Sequence, residues 1–289
     1  MREHSIQWHR YMAWPAFLLF ILFFIYPLSH GVQMSMMDWD GFSEPEFIGF
    51  QNFVRFFSDS RASRDVLNTV FFALGSAPLL NIFGLALALL LNRSFSGRGV
   101  VRAAVYMPAV ISPMIMGSIW YLLLQPGRGL FYILAGRIGV ESLGNWMLSG
   151  NAMLVIILIN VWQFAGMTMV IYLAGLQQIP GELYEAAHIA GANAEQRFRF
   201  ITIPQLLPAL KVNVITNIIG SLSVFEVILA LTDGGPGYST ESLSIYIMRM
   251  CYGSRTGYST AVAIILFFII LVPVLISLSF FKKAEEKHG

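Results

Sequence analysis

Gln178 to Pro208 reads Q-I-P-G-E-L-Y-E-A-A-H-I-A-G-A-N-A-E-Q-R-F-R-F-I-T-I-P-Q-L-L-P, a charged interruption between two long apolar segments. Pro180 and Gly181 open it. Glu182 and Glu185 fall in a first turn, where carboxylates suit the positive end of a helix, and Gly191 stands where a short helix ends. A second short helix is expected to start at Asn193, with Gln196 three residues later as its capping-box partner. Pro204 and Pro208 are expected to close the unit. The whole reads as a compact projection of two short helices around a glycine turn.

The flanks decide where this projection sits. Of 289 residues, 56% are apolar and only 12% charged, and the mean hydropathy is +0.67. That leaves too little polar surface to cover a soluble globule, so the chain belongs in a lipid bilayer. Apolar runs of spanning length are read at 11–28, 67–91, 100–124, 152–174, 207–231 and 259–281. They give an all-α polytopic membrane protein with six transmembrane helices. Pro78, Pro108, Pro113 and Pro273 fall inside these runs, where neighbouring helices can re-satisfy an interrupted backbone. The first run lacks a small-x-small cleavage site at Pro27-Leu28-Ser29-His30 and reads as a retained anchor.

Six spans put both termini on one side. With the termini inside, the inner segments hold Arg2, Arg10, Arg93, Arg98, Arg102, Arg197, Arg199, Lys211, Lys282, Lys283 and Lys287, and the outer segments hold seven arginines and no lysine. The positive-inside rule therefore places the termini and the 178–206 loop in the cytoplasm. The net charge of +2 gives no electrostatic footprint for nucleic acid. A single cysteine, Cys251, excludes an internal disulfide framework, and no Cys/His cluster has metal-ligand spacing. No G-x-x-x-x-G-K-[ST] phosphate loop occurs, so ATP hydrolysis is not expected in this chain, and no Ser/His/Asp set or H-E-x-x-H argues for a membrane enzyme.

Within the spans, polar side chains stand out. Asn213, Asn217 and Gly220 share a helical face of the fifth run, Thr216 and Ser223 lie beside it, and Glu226 is well round from Asn213 on a straight helix. An ionisable group at such depth marks a pathway or a buried pair, or else caps a helix end locally. Asn160 and Gln163 in the fourth run carry the same two readings, a polar path for substrate or hydrogen bonds that join helices. His188 reads as a surface residue of the projection, and Met107, Met114 and Met116 as packing.

Glu185-Ala186-Ala187, Gly191 and Ile201-x-Ile203-Pro204 resemble the E-A-A-x-x-x-G-x(9)-I-x-L-P loop of permease subunits of binding-protein-dependent ABC importers. Ile203 stands where leucine is usual, and Ala190 where carbohydrate permeases often have aspartate. Arg102 with Met107-Pro108, Tyr172-Leu173-Ala174-Gly175-Leu176, and Leu231-Thr232-Asp233-Gly234-Gly235-Pro236 with Ser239-Thr240 look like the same family. The last is similar to lactose, raffinose, glycerol-phosphate and maltose permeases, in the subunit type with a Gly-Gly-Pro loop. The resemblance implies a single permease domain over 1–289, whose 178–206 loop couples to ATPases through Glu185, Ala186, Ala187, Gly191, Ile201 and Pro204. It implies a bacterial inner or plasma membrane, a second permease subunit, two ABC ATPases that bind the ATP and magnesium, an extracytoplasmic solute-binding protein and an oligosaccharide substrate. Asn160, Gln163, Asn213, Thr216, Asn217, Ser223 and Glu226 are the candidate substrate path. An ion-coupled secondary sugar porter is the alternative, for which several intramembrane carboxylates or a repeat of broken helices are expected.

Overall fold

The computed structural model describes residues 14–137, 146 and 150–288. Residues 11–13 of the first expected span, with Arg2 and Arg10, lie outside them. Among the described residues the regular structure is helical apart from one short hairpin. Helix α1 (Trp14–Ser35) leads through strands β1 (Met37–Asp38) and β2 (Glu46–Phe47), paired antiparallel, to α2 (Gln51–Ser58) and α3 (Ser60–Leu91). Then come α4 (Arg98–Val110), α5 (Pro113–Leu124), α6 (Leu130–Arg137), α7 (Ala152–Gln177), α8 (Gly181–Ile189) and α9 (Ala194–Arg197). The series ends with α10 (Leu207–Leu222), α11 (Glu226–Thr232), α12 (Leu243–Tyr252) and α13 (Thr256–His288). Helices α1, α3, α7 and α13 are each long and apolar enough to cross a membrane, and the number rises to six if the bent pairs α4/α5 and α10/α11 each count as one span.

The helices overrun the apolar stretches that announce them, because hydropathy marks the lipid and not the end of the hydrogen-bond ladder. The first extends to Ser35, and α3 starts at Ser60 where the apolar run begins only at 67. Asp59 sets that start, since its Oδ1 accepts the N–H groups of Arg61 (2.8 Å) and Ala62 (3.3 Å), which would otherwise be orphan donors of the first turn.

Two runs read as continuous are broken. The expected span 100–124 bends by 95° between α4 and α5, and the expected span 207–231 bends by 43° between α10 and α11. At the first break Pro113 heads α5, where its missing N–H costs nothing. The carbonyl freed at Ile111 accepts the Nε2–H of Gln163 at 3.0 Å. Pro78 and Pro273, by contrast, lie within unbroken helices.

Two compact groups of segments result, Met1–Ser63 with Tyr246–Phe267, and Arg64–Ile245 with Phe268–Gly289. In the first, Asn52 is fully buried and its amide donates to the carbonyls of Ser35 and Met37, both at 2.9 Å, pinning α2 to the end of α1 and the hairpin. Tyr246 donates to Asp59 at 2.6 Å and meets the Tyr258 hydroxyl at 3.0 Å. Partial burial opposes ionisation of Asp59, yet the Tyr246 hydroxyl and the two capping N–H groups outweigh it and hold the carboxyl below its ordinary range.

In the second group α7 is central. Half of its apolar window is buried, against none of that of α1 and 11% of that of α13. Tyr172, Leu173 and Leu176 pack with Ala88 and Leu91 of α3 and with Leu206, and Tyr172 donates to Asn81 at 2.6 Å. Arg102 donates to the Leu91 carbonyl at 2.6 Å, satisfying the end of α3.

Gly166 of α7 lies directly on the α4 backbone: a Cβ there would collide with the Val105 carbonyl and stand 2.8 Å from Tyr106 Cα. Neither is the end of a flexible side chain, so nothing nearby can give way cheaply. Gly166→Ala should therefore push α4 off α7 at a cost of about 1 to 3 kcal/mol. Thermal unfolding of the detergent-purified protein measures this, and an unchanged midpoint would contradict the packing described.

Candidate functional site

The projection is assembled by local capping. Pro180 precedes α8, whose first turn holds Glu182; Glu185, expected in the same turn, lies beyond it because the helix already starts at Gly181. At its other end Gly191 has φ +77°, its N–H donates to the His188 carbonyl (3.0 Å), and the Ala192 N–H donates to the Ala187 carbonyl (2.9 Å). This is a Schellman closure, and it requires a left-handed residue at the Gly191 position. The next helix begins in a complete capping box. The Asn193 N–H donates to Gln196 Oε1 (2.8 Å) and the Gln196 N–H to Asn193 Oδ1 (2.9 Å). The Tyr184 and Thr202 hydroxyls, 2.9 Å apart, join the two arms.

The second arm is not a short helix closed by prolines, contrary to the sequence reading. From α9 it continues through a wide turn (Phe198–Thr202) and Ile203–Gln205, and after Leu206 becomes α10. Pro204 has no N–H to give Phe200, and its ring crowds that carbonyl. The helix widens just before it, with the Ile203 N–H reaching back to Phe198. Pro208 sits in the first turn of α10, where it is tolerated.

Glu185, Ala186 and Gly191 are exposed, while Ala187, Ile201 and Pro204 are half-buried. The most exposed apolar side chains of the projection are ones the sequence reading passed over, Ile189 (88% exposed) and Phe200 (69%). Apolar side chains at such exposure on a polar loop are the composition of a contact surface.

The second candidate site is a cleft of about 500 Å³ between α7, α10 and α11, within the size range of small-molecule sites. Six of the seven path candidates line it, namely Asn160, Asn213, Thr216, Asn217, Ser223 and Glu226. Gln163 does not, because its fully buried side chain is spent on the Ile111 carbonyl at the α4/α5 break. Glu226 reaches the same cleft as Asn213 although a straight helix would have set them apart. The break at Ser223–Phe225 ends α10 and redirects the chain, leaving Glu226 exposed as the first residue of α11.

The amides are held in place. Asn213 donates to the Thr168 carbonyl (3.2 Å), Asn217 and the Thr168 hydroxyl approach at 3.4 Å, and Asn160 accepts from Ser76 (2.7 Å). Asn213 Oδ1 and Ser221 Oγ are buried without a protein partner, so hydrogen-bonding capacity remains at the cleft wall. Thr168, Phe164 and Phe225 also line the cleft. The first two were findable in the sequence, since Asn160, Phe164 and Thr168 repeat every four residues along one face of α7. Phe225 was not, because it lies in the break.

The Gly-Gly-Pro segment is a tied loop. Asn68 donates to the carbonyls of Tyr238 (3.1 Å) and Glu241 (3.0 Å), and Thr240 donates to the Gly235 carbonyl (2.8 Å).

Residues 81–285 match the family model described as "binding-protein-dependent transport system inner membrane component". Among relatives, the trehalose/maltose transport system permease protein MalF of Thermococcus litoralis is 35% identical over 90% of this chain and 88% of its own length. The probable starch degradation products transport system permease protein AmyD of Thermoanaerobacterium thermosulfurigenes is 31% identical, covering 96% of this chain and 95% of that protein. A solved bacterial ABC transporter involved in import of the acidic polysaccharide alginate superposes with a TM-score of 0.82 at 28% identity over 96% of each chain. A second structure of the alginate transporter, in complex with an alginate pentasaccharide-bound periplasmic protein, gives the same TM-score at 26% identity, covering 97% of this chain and 96% of that one. The gapped Glu-Ala-Ala and glycine loop, the broken spans and these matches agree: the chain belongs to the inner membrane components of binding-protein-dependent transport systems, as a multi-pass permease subunit of an ABC importer and not an enzyme.

Proposed function

We propose that this chain forms one half of the translocation path of an ATP-driven oligosaccharide importer. It pairs with a second permease subunit, receives sugar from an extracytoplasmic binding protein, and docks its 178–206 projection on cytosolic ATPases. ATP and magnesium bind in those ATPases, and both termini lie in the cytoplasm with the projection. The relatives named for trehalose, maltose and starch products support the substrate class.

One observation carries the mechanism: the second arm of the projection runs, with only the turn at Leu206 between, into the helix that bears Asn213 and Asn217. The two arms are locked by the Schellman closure, the capping box and the Tyr184–Thr202 contact, so the projection moves as one body. Displacing it displaces the cleft wall, and closure of the ATPases around ATP thereby switches the exposure of the cleft. Lys211 near the start of α10 pairs with Glu285 of α13 at 3.1 Å, which ties this lever to the last helix.

Sugars suit such a cleft. Amide and hydroxyl groups replace the water that sugar hydroxyls lose, and each buried hydroxyl left unpaired costs about 1 to 3 kcal/mol. Inactivating the ATPase should abolish uptake, whereas a proton ionophore applied with ATP maintained should not. Uptake that survives loss of the ATPase and fails with the ionophore would instead mark an ion-coupled porter.

A further inference from the structure

The cleft has a charge pattern that the sugar-path reading does not use. Among the described residues its lining carries one ionisable side chain, Glu226, and no lysine, arginine or histidine. Glu226 is exposed at the break and forms no ion pair among the described residues. The remaining polar lining is neutral, and Phe164 and Phe225 add aromatic rings. A lone carboxylate at the wall of a mostly apolar cleft faces low-dielectric material on one side and water on the other, and such walls concentrate its field in the opening. An anionic sugar entering here meets a like charge and no compensating cation among this subunit's described lining residues. A neutral sugar meets amides and hydroxyls that pair with its own hydroxyls, and ring faces on which its C–H surfaces rest.

Resting on the reading of the cleft as sugar path, we propose that this subunit selects neutral over acidic oligosaccharides, with Glu226 as the residue that repels uronate-type substrates. The discrimination is built by adding a repulsive group against the wrong substrate, not by tighter contacts to the right one.

Charged thiol reagents test the field without needing the solute-binding protein. In membranes carrying the complete importer, with Cys251→Ser as the background, Thr216→Cys places a thiol on the cleft wall. Its rates of reaction with a cationic trimethylammonium-ethyl and an anionic sulfonato-ethyl methanethiosulfonate are compared with those of free β-mercaptoethanol. The cationic-to-anionic ratio should exceed that of the free thiol about fivefold, fall to it in Glu226→Gln, and invert in Glu226→Lys. Maltotriose at millimolar concentration should slow the reaction more than a tri-uronate of the same length. A ratio equal to that of the free thiol with Glu226 present, a ratio that Glu226→Gln leaves unchanged, or equal or stronger protection by the tri-uronate would overturn the charge selection. Failure of Thr216→Cys to react with either reagent would overturn the aqueous path itself, and the selection with it.

Discussion

Gly191→Val should lower sugar uptake at least about tenfold while the protein still inserts in the membrane and assembles with its partners. The Schellman closure needs φ +77° at this position, a conformation that costs an ordinary side chain roughly 1 to 2 kcal/mol and a β-branched one more. Space is not the obstacle, since nothing lies within 4 Å of a Cβ placed there. Valine therefore unwinds the turn, releases the bonds at Ala187 and His188, and separates the two arms of the lever. The ATPases, whose sites are elsewhere, should keep hydrolysing ATP without transport. Gly191→Asn, which tolerates the left-handed conformation, should retain most uptake. Full uptake in Gly191→Val, or equal loss in the valine and asparagine variants, would sink the turn as the reason.

The second large effect is expected at the cleft. Replacing both Asn213 and Asn217 by alanine removes the two amides that α10 presents, and uptake should fall about tenfold, with the loss differing between short and long oligosaccharides. Both amides also touch Thr168, so part of their role joins helices. Interhelical hydrogen bonds in membranes average only about 0.6 kcal/mol, so the complex should still assemble, with its ATPase activity intact. Unchanged uptake of every sugar would take α10 off the path. A complex that fails to assemble would leave these residues a packing role alone.

The projection was legible residue by residue because its determinants are local. A glycine at the helix end, an asparagine with glutamine three residues on, and a carboxylate in the first turn each act within a few positions, and the structure has the glycine, the capping box and Glu182, though not Glu185, in that turn. The spans were legible as composition. What stayed hidden depends on partners distant in the chain. The break before Pro113 is stabilised by Gln163, 52 residues away, and the close approach at Gly166 is set by the backbone of Val105. Straight-helix arithmetic sets Glu226 off the polar face, and the bend at 223–225 invalidates it. Pro204 and Pro208 look like terminators in sequence, yet inside a supported helix proline is absorbed by a widened turn or the first turn of the next segment.

The most direct test of the account is site-specific photocross-linking in cells that express the complete importer. A photoreactive residue in place of Ile189, at the exposed tip of α8, should cross-link to an ATPase subunit. The same residue in place of Phe42, which is 91% exposed in the segment after β1, should not, and should instead capture the extracytoplasmic binding protein. Capture of the ATPase from position 42, or none from position 189, would contradict both the orientation of the chain and the role of its projection.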